Sequence, residues 1–294
     1  MSKTVYIIAG PTAVGKTAFA IELATALQTE IISADARQCY QELNIGVARP
    51  SDEELAQVKH HFIASHSIHD TVNAAVFEQF ALEKVKALFE SKEAVVMVGG
   101  TGLYIKAFCE GLDAIPGIDP SIRTKIIQQY EANGLLWLQE EIAQKDPRFW
   151  ESAEQENPQR LMRALEVIEG LGKSILSFQH HLKKTRAFNI VKIGLEMPRE
   201  VLYERINQRV LQMIEMGLEE EVRSLLPHFA LNALQTVGYK EWEPYFNDVI
   251  NIDSVTQAIQ QNTRHYAKRQ MTWFKKDTEI QWHQATDAQV TKII

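Results

Sequence analysis

The sequence predicts an α/β protein, a parallel sheet flanked by helices and interrupted by a small all-helical insert. Three observations lead there. An apolar, β-branched run at residues 5–9 meets Gly10 and Pro11 and is followed by a helical pattern, giving strand, glycine-rich loop, helix. The run Ala94–Val98 (AVVMV) does not alternate with polar residues, which marks a strand buried on both faces. Helical periodicity separates the strands, the order that produces parallel pairing.

The elements follow in turn. The first helix spans about residues 17–28, with Ala20, Leu23, Ala24 and Leu27 on one side, and a short second strand covers residues 30–33. Phe77, Phe80, Ala81, Val85 and Leu88 recur at helical spacing within residues 77–89. The character changes after Pro116. Asp119-Pro120, Asp146-Pro147 and Asn157-Pro158 each set a capping side chain before a proline suited to the first helical turn. Three such starts predict an inserted helical domain over residues 119–182, within a core of residues 1–118 and 183–294. A strand returns at 190–196, and helices follow at 199–216, ended by Gly217, and at 254–274.

Composition excludes several classes. With 294 residues, 45% hydrophobic and 23% charged, the chain is neither disordered nor fibrous. A chain of this length buries roughly 75% of its unfolded surface and needs no staples. Cys39 and Cys109 are too few for a disulfide framework or a four-thiolate zinc site, so both are expected reduced. The first residues lack a secretory signal pattern, and no segment approaches the roughly 18 apolar residues of a membrane span. A cytoplasmic protein with no membrane partner, acting as a monomer, is the expectation.

The net charge of -7 hides local asymmetry. Residues 159–192 hold seven basic side chains (Arg160, Arg163, Lys173, Lys183, Lys184, Arg186, Lys192) against two acids, Glu166 and Glu169, with His180 and His181 as further donors. Residues 262–276 hold five (Arg264, Lys268, Arg269, Lys275, Lys276) and no acid, interleaved with Tyr266, Trp273 and Phe274. Such stretches suit nucleic acid; the plainer alternative is a solvated helix face.

Gly10-Pro11-Thr12-Ala13-Val14-Gly15-Lys16-Thr17 matches G-x-x-x-x-G-K-[ST] between a strand and a helix, so a P-loop NTPase-like sheet is expected. Its backbone amides and helix N-terminus cradle phosphate, Lys16 neutralises charge, and the Thr17 hydroxyl suits Mg²⁺. No acid ends the buried strand at Val98, where a Walker-B aspartate would hold Mg²⁺. The first acid beyond a strand end is Asp35, a candidate general base or metal-shell carboxylate, or else a turn aspartate. Ligands collect at the carboxyl ends of parallel strands, so the loop, Asp35 and Thr101 are expected at one crevice. On these residues alone, a P-loop kinase of a small molecule or nucleotide stands open.

The blocks GPTAVGKT, ISADARQCYQELNIGVARPS, VVGGTGLYIKAFCEGL, NPQRLMRALEVIEGLGKS, VGYKEW and NTRHYAKRQMTWFKK closely resemble the bacterial tRNA dimethylallyltransferases. The resemblance runs from about residue 5 to 274. It implies transfer of a dimethylallyl group from dimethylallyl diphosphate to N6 of the adenosine 3′ of the anticodon in tRNA, with Mg²⁺ as cofactor. Carried over, it implies catalytic roles for Asp35, Lys16 and Thr101. Diphosphate contacts fall on Gly10 to Thr17, and on Arg209 rather than Arg205. The implied tRNA contacts are Asp35, Ala36, Arg37, Gln38, Thr101, Arg123, Gln159, Arg160, Leu161, Met162 and Arg163. The insert would be the tRNA-binding domain. This chain departs from the family at Ala36, where serine is common, at Val47 and Arg49, in place of threonine and lysine, and at Ala64, in place of aspartate. The pairs His60-His61 and His180-His181 lack cysteine or carboxylate at ligand spacing and read as structural or RNA-facing. An RNA-binding protein with a relict P-loop is a third reading.

Overall fold

The computed structural model describes residues 3–179 and 183–292, so His180 and His181 lie outside the described residues. The chain forms two units, residues 1–111 with 185–294, and residues 112–184.

In the first unit β1 (Thr4–Ala9), β2 (Ile31–Ser33), β3 (His60–His61), β4 (Ala94–Val98), β5 (Asn189–Glu196) and β6 (Gln281–Gln284) form one sheet, ordered β3-β2-β4-β1-β5-β6. Every neighbouring pair is parallel. Parallel neighbours need crossovers, and helices supply them: α1 (Lys16–Ala26), α2 (Asp52–Gln57), α3 (Ala74–Leu88) and α4 (Gly102–Glu110). The second unit contributes α5 (Pro120–Lys145), α6 (Pro147–Ser152) and α7 (Pro158–Leu171). Then α8 (Arg199–Glu215), α9 (Leu218–Ser224), α10 (Glu243–Phe246) and α11 (Ile252–Phe274) complete the first unit.

All five residues of β4 are buried, which is why its sequence does not alternate. Ile8, Val96, Ile193 and Leu195 pack with Leu23 and Ile206 in one core, each large side chain contributing about 1.5–3 kcal/mol on burial. Strands β3 and β6 were not foreseen. They are two and four residues long, carry His, Gln and Trp, and owe their extension to pairing with β2 and β5 at the sheet edges.

Register positions the site. Ile8 of β1 pairs with Val98 of β4, and Ser33 of β2 pairs with the same Val98. Beyond the strands, Gly99 N donates to Ile8 O at 3.1 Å, Ala34 N to Val98 O at 2.7 Å, and Thr101 N to Ala34 O at 3.2 Å. A Cβ on Gly99 would lie 2.1 Å from Ala34 O, so only glycine lets these loops touch. The loop after β1, the turn after β2 and the turn after β4 thus leave the sheet side by side.

The helical unit is capped where its sequence indicates. Asp119 accepts from Ser121 N, Asp146 from Phe149 N and Asn157 from Arg160 N, each with proline in the first turn. Caps of this kind contribute about 1 kcal/mol each. Its core is Ile126, Leu138, Ile142, Leu161, Met162 and Leu165. The unit begins at residue 112 rather than 119 because Ile115 and Ile118 pack against that core, ahead of the first capped helix.

Candidate active site

A cavity of about 710 Å³ opens at the carboxyl ends of the strands, walled entirely by the first unit. Thr12, Ala13, Gly15, Lys16 and Thr17 line it from the phosphate loop, Asp35, Arg37 and Gln38 from the turn after β2, and Arg205 and Arg209 from α8. Gly10, Pro11 and Val14 stand behind this surface, and Val14 is a core residue with no exposed area. The loop closes through Ala13, at φ 66°, and Gly15, at φ 106°, a left-handed helix cap. As the first groups of α1, the amides of Lys16 and Thr17 have no acceptor within the helix and point donors at the cavity end.

The cations here are unbalanced. Lys16 Nζ donates to Pro11 O at 2.7 Å, inside its own loop. Burial pulls its pKa down to about 7, with Asp35 opposing and Arg209 reinforcing the shift. Burial and the neighbouring Arg205 also lower the Arg209 pKa, and neither arginine has a salt-bridge partner among the described residues. Asp35 attracts Lys16 and Glu54 attracts Arg209, but with no ion pair formed to either cation among the described residues, both stay costly unless an anion joins them. Arg209 is half-buried and faces Lys16 electrostatically, whereas Arg205 is exposed.

Asp35 is both of the things its sequence position suggests. Its Oδ1 accepts from Arg37 N at 2.9 Å and from Gln38 N at 3.2 Å, fixing the turn. Its Oδ2 takes no hydrogen bond from the described residues, and Asp35 belongs to the cavity wall. Thr101 is not a wall residue. Its hydroxyl accepts from Ala36 N at 3.0 Å and hydrogen-bonds the phenol of Tyr266, which is one. Burial, and then the charge of Asp35, push the Tyr266 pKa up, so the phenol stays protonated beside the carboxylate.

The other expected contacts divide. Gln38 Nε2 donates to Ala48 O at 2.9 Å and to Val47 O at 3.3 Å, bracing the loop opposite. Arg49 donates to the carbonyls of Tyr40, Gln41 and Leu43, so its charge serves the fold. In the helical unit Arg123 reaches Glu166 Oε2 at 3.1 Å and Gln159 Oε1 at 3.2 Å, and Arg163 reaches Glu166 Oε1 at 3.0 Å. Among the described residues Arg160 pairs with Glu154 alone, at 3.1 Å on the surface. Leu161 and Met162 face inward, with no more than 3% exposure, so their side chains hold α7 in its unit rather than meet a ligand.

Two cations of the first basic stretch need correction. Arg186 is bound to Glu78 at 2.9 Å and to the Phe108 and Ala107 carbonyls, and Lys192 to Asp277 and Glu279 at 2.8 and 2.7 Å. Both are buried structural ions, because the chain re-enters the sheet there. In the second stretch Lys275 pairs with Glu196 and Arg264 bonds Asn207, while Lys268 and Arg269 are exposed. Burial pushes both cysteine thiols up to about 12, which makes them inert.

Several residues of the site escaped the sequence reading. Gln270 on α11 joins the phosphate loop to the turn after β4. Glu221 accepts from Ile45 N at 2.8 Å, Gly46 N at 3.1 Å and the Tyr239 hydroxyl at 2.6 Å, anchoring the loop over the cavity. His60 lines the cavity and places Nδ1 2.7 Å from Val58 O, so Nδ1 carries the proton; burial lowers its pKa. Gln270 falls in the block NTRHYAKRQMTWFKK and His60 in the His60-His61 pair, but neither pattern gives these contacts; only the tertiary fold brings them together.

The comparisons with known proteins agree with this geometry. The family model described as IPP transferase matches residues 38–277. The tRNA dimethylallyltransferase of Christiangramia forsetii is 48% identical, over 96% of this chain and 93% of its own length. That of Flavobacterium johnsoniae is 43% identical, over 95% and 93%. The crystal structure of the full-length tRNA isopentenylpyrophosphate transferase from Bacillus halodurans superposes with a TM-score of 0.72 at 33% identity, covering 100% of this chain and 94% of that one. The chain belongs to the tRNA dimethylallyltransferase family.

Proposed function

We propose that the protein transfers the dimethylallyl group of dimethylallyl diphosphate to N6 of the adenosine 3′-adjacent to the anticodon in tRNA, releasing diphosphate. One observation carries the reading in this family member. Two desolvated cations with no ion-pair partner among the described residues, Lys16 and Arg209, share a cavity wall with Asp35, whose Oδ2 has no hydrogen-bond partner among those residues.

The helix-start amides, Lys16 and Arg209 take the diphosphate. As the allylic C–O bond breaks, its electron pair passes to the diphosphate oxygen, and these fixed donors stabilise the growing charge. The adenine N6 forms the new C–N bond and gives up a proton, which Asp35 Oδ2 accepts. Thr101 and Tyr266 hold the Asp35 turn through Ala36 N. Val98, Ile206, Val210 and Ile259 supply an apolar wall for the prenyl tail.

Mg²⁺ fits the donor set. The Thr17 hydroxyl lies in the cavity wall, and no cluster of three acidic, His or Cys groups occurs among the described residues. A hard cation that favours substrate phosphates, waters and one protein oxygen suits such a site, and when bound it neutralises diphosphate charge. Arg123, Gln159, Arg160 and Arg163 supply the donors of the helical unit for tRNA, whose target base must leave its stack. The setting is the cytoplasm, the partner is tRNA rather than a membrane, and a single chain is the active species.

The test is the mass of nucleosides digested from unmodified tRNA after incubation with the protein, Mg²⁺ and dimethylallyl diphosphate, with ATP in a parallel arm. Prenyl-adenosine from the diphosphate donor alone is expected. ATP consumption with a phosphorylated metabolite and no prenyl product would return the loop to the kinase reading.

A further inference from the structure

Gln270 is 6% exposed and lies near the C-terminal end of α11, far in sequence from the residues it touches. Its Oε1 accepts from Thr12 N at 2.8 Å, and its Nε2 donates to Gly100 O at 2.9 Å. One planar amide therefore spans from the phosphate loop to the turn that presents Thr101. The approach is close: a Cβ on Gly100 would lie 2.2 Å from Nε2, so the turn is shaped around this side chain.

The bonded groups define its purpose. Thr12 N belongs to the phosphate loop, and Gln270 occupies that one donor and pins the loop by it. Gly100 O belongs to the turn whose next residue, Thr101, bonds Ala36 N beside Asp35. The leaving group sits on one bonded partner and the nucleophile's base on the other. We infer that Gln270 is a positioning residue that sets the distance between the diphosphate and the Asp35–Thr101 side of the site, and hence the line along which N6 meets the allylic carbon. This rests on the transferase reading. Glutamine suits the task because one neutral side chain offers a donor and an acceptor at a fixed separation. A lysine or glutamate would supply only one of them and would add charge beside Lys16.

The test uses the full-length protein with two variants, Gln270→Met and Gln270→Glu. For Gln270→Met the expectation is a fall in kcat of about ten- to a hundredfold, the scale of a misplaced reacting group, with affinity for inorganic diphosphate within about threefold of wild type, on the same scale of effects. Gln270→Glu sharpens this. Its carboxylate cannot donate to Gly100 O, whereas its protonated form restores both bonds, and burial raises the pH at which it protonates. The ratio of variant to wild-type kcat should therefore rise as pH falls from 8 to 6. Taking the ratio cancels what the charged and titratable wall groups common to both proteins contribute, among them Lys16 on α1, Asp35 after β2, Glu53 and Glu54 on α2, His60 on β3, Arg209 on α8 and Tyr266 on α11. Should Gln270→Met fail to fold, the pH profile of Gln270→Glu decides alone. Turnover and diphosphate affinity lost in equal proportion, kcat unchanged in the Met variant, or a flat ratio would overturn the inference. Wild-type protein that makes no prenyl-adenosine would overturn the transferase reading instead, which keeps the two failures apart.

Discussion

The two units treat positive charge in opposite ways. In the helical unit Arg123 and Arg163 share Glu166, Arg160 meets Glu154, and Lys145 lies between Glu141 and Glu169. In the crevice of the α/β unit, Lys16 rests on a carbonyl and Arg209 has no salt-bridge partner among the described residues, and burial depresses both pKa values. Elsewhere in that unit a buried cation is fully matched, as Lys192 is by Asp277 and Glu279. At the crevice Asp35, Glu53 and Glu54 line the wall, but among the described residues none of them forms an ion pair with Lys16 or Arg209. Charge left uncompensated inside a protein costs stability, so its persistence marks where an anion completes the structure. An exposed pair such as Arg160–Glu154 is instead available for exchange with another polyanion at little cost, whereas Arg123 and Arg163 are held by the buried Glu166.

The largest break in this comparison comes from Asp35, the crevice carboxylate whose charge acts on Lys16. Asp35→Asn keeps an oxygen to accept from Arg37 N and Gln38 N while removing the base, so the turn should survive. Single-turnover prenylation of tRNA should fall by at least roughly a hundredfold, with diphosphate affinity retained. Asp35→Ala would also lose the turn cap, about 1 kcal/mol, and so confounds chemistry with folding. Near wild-type rates in the Asn variant would leave Asp35 a turn residue only.

Next in size is the pH dependence of anion binding. Because the Lys16 pKa in the free protein is about 7, the side chain is charged below that pH and neutral above it. Diphosphate binds the charged form and draws a proton onto the lysine. Affinity should therefore weaken as pH rises above about 7, by up to about tenfold per unit for one proton taken up. Lys16→Arg stays charged throughout, so isothermal titration of inorganic diphosphate against both proteins separates the lysine from the ligand's own ionisation. Parallel curves for the two would mean that Lys16 is already ionised in the free site.

Much of this crevice is legible in the chain because it is built from local rules. A strand, glycines and a Lys-Thr pair define the phosphate loop, and Asp-Pro and Asn-Pro pairs announce the insert's helices, which the observed caps match. The bracing is not legible. Gln270 is 258 residues from Thr12, and Glu221 about 175 from the loop it anchors. A glutamine or glutamate on a helix has no periodicity that reveals a distant backbone partner. Local charge counts fail for the same reason, since Arg186 and Lys192 lie in a basic stretch but are spent on acids from distant elements. The sheet edges β3 and β6 also escape, because pairing rather than hydrophobicity extends them.

The smallest expected effect tests the helical side of the comparison. Among the described residues Arg160 pairs with Glu154 alone, and the two side chains are 55% and 63% exposed. Such a pair contributes under about 1 kcal/mol, so Arg160→Ala should leave the thermal midpoint almost unchanged. If the arginine exchanges Glu154 for a tRNA phosphate, its loss removes one counter-ion release. The slope of log affinity against log salt should then fall in magnitude by about 0.7 to 0.9, uniformly across tRNA sequences. Diphosphate binding in the crevice should not respond to this change at all. Fluorescence titration of labelled tRNA at several salt concentrations reads the slope directly. An unchanged slope would make Arg160 a surface cation with no phosphate partner, and would leave the cluster of Arg123, Gln159 and Arg163 around Glu166 as the place to look for the RNA backbone.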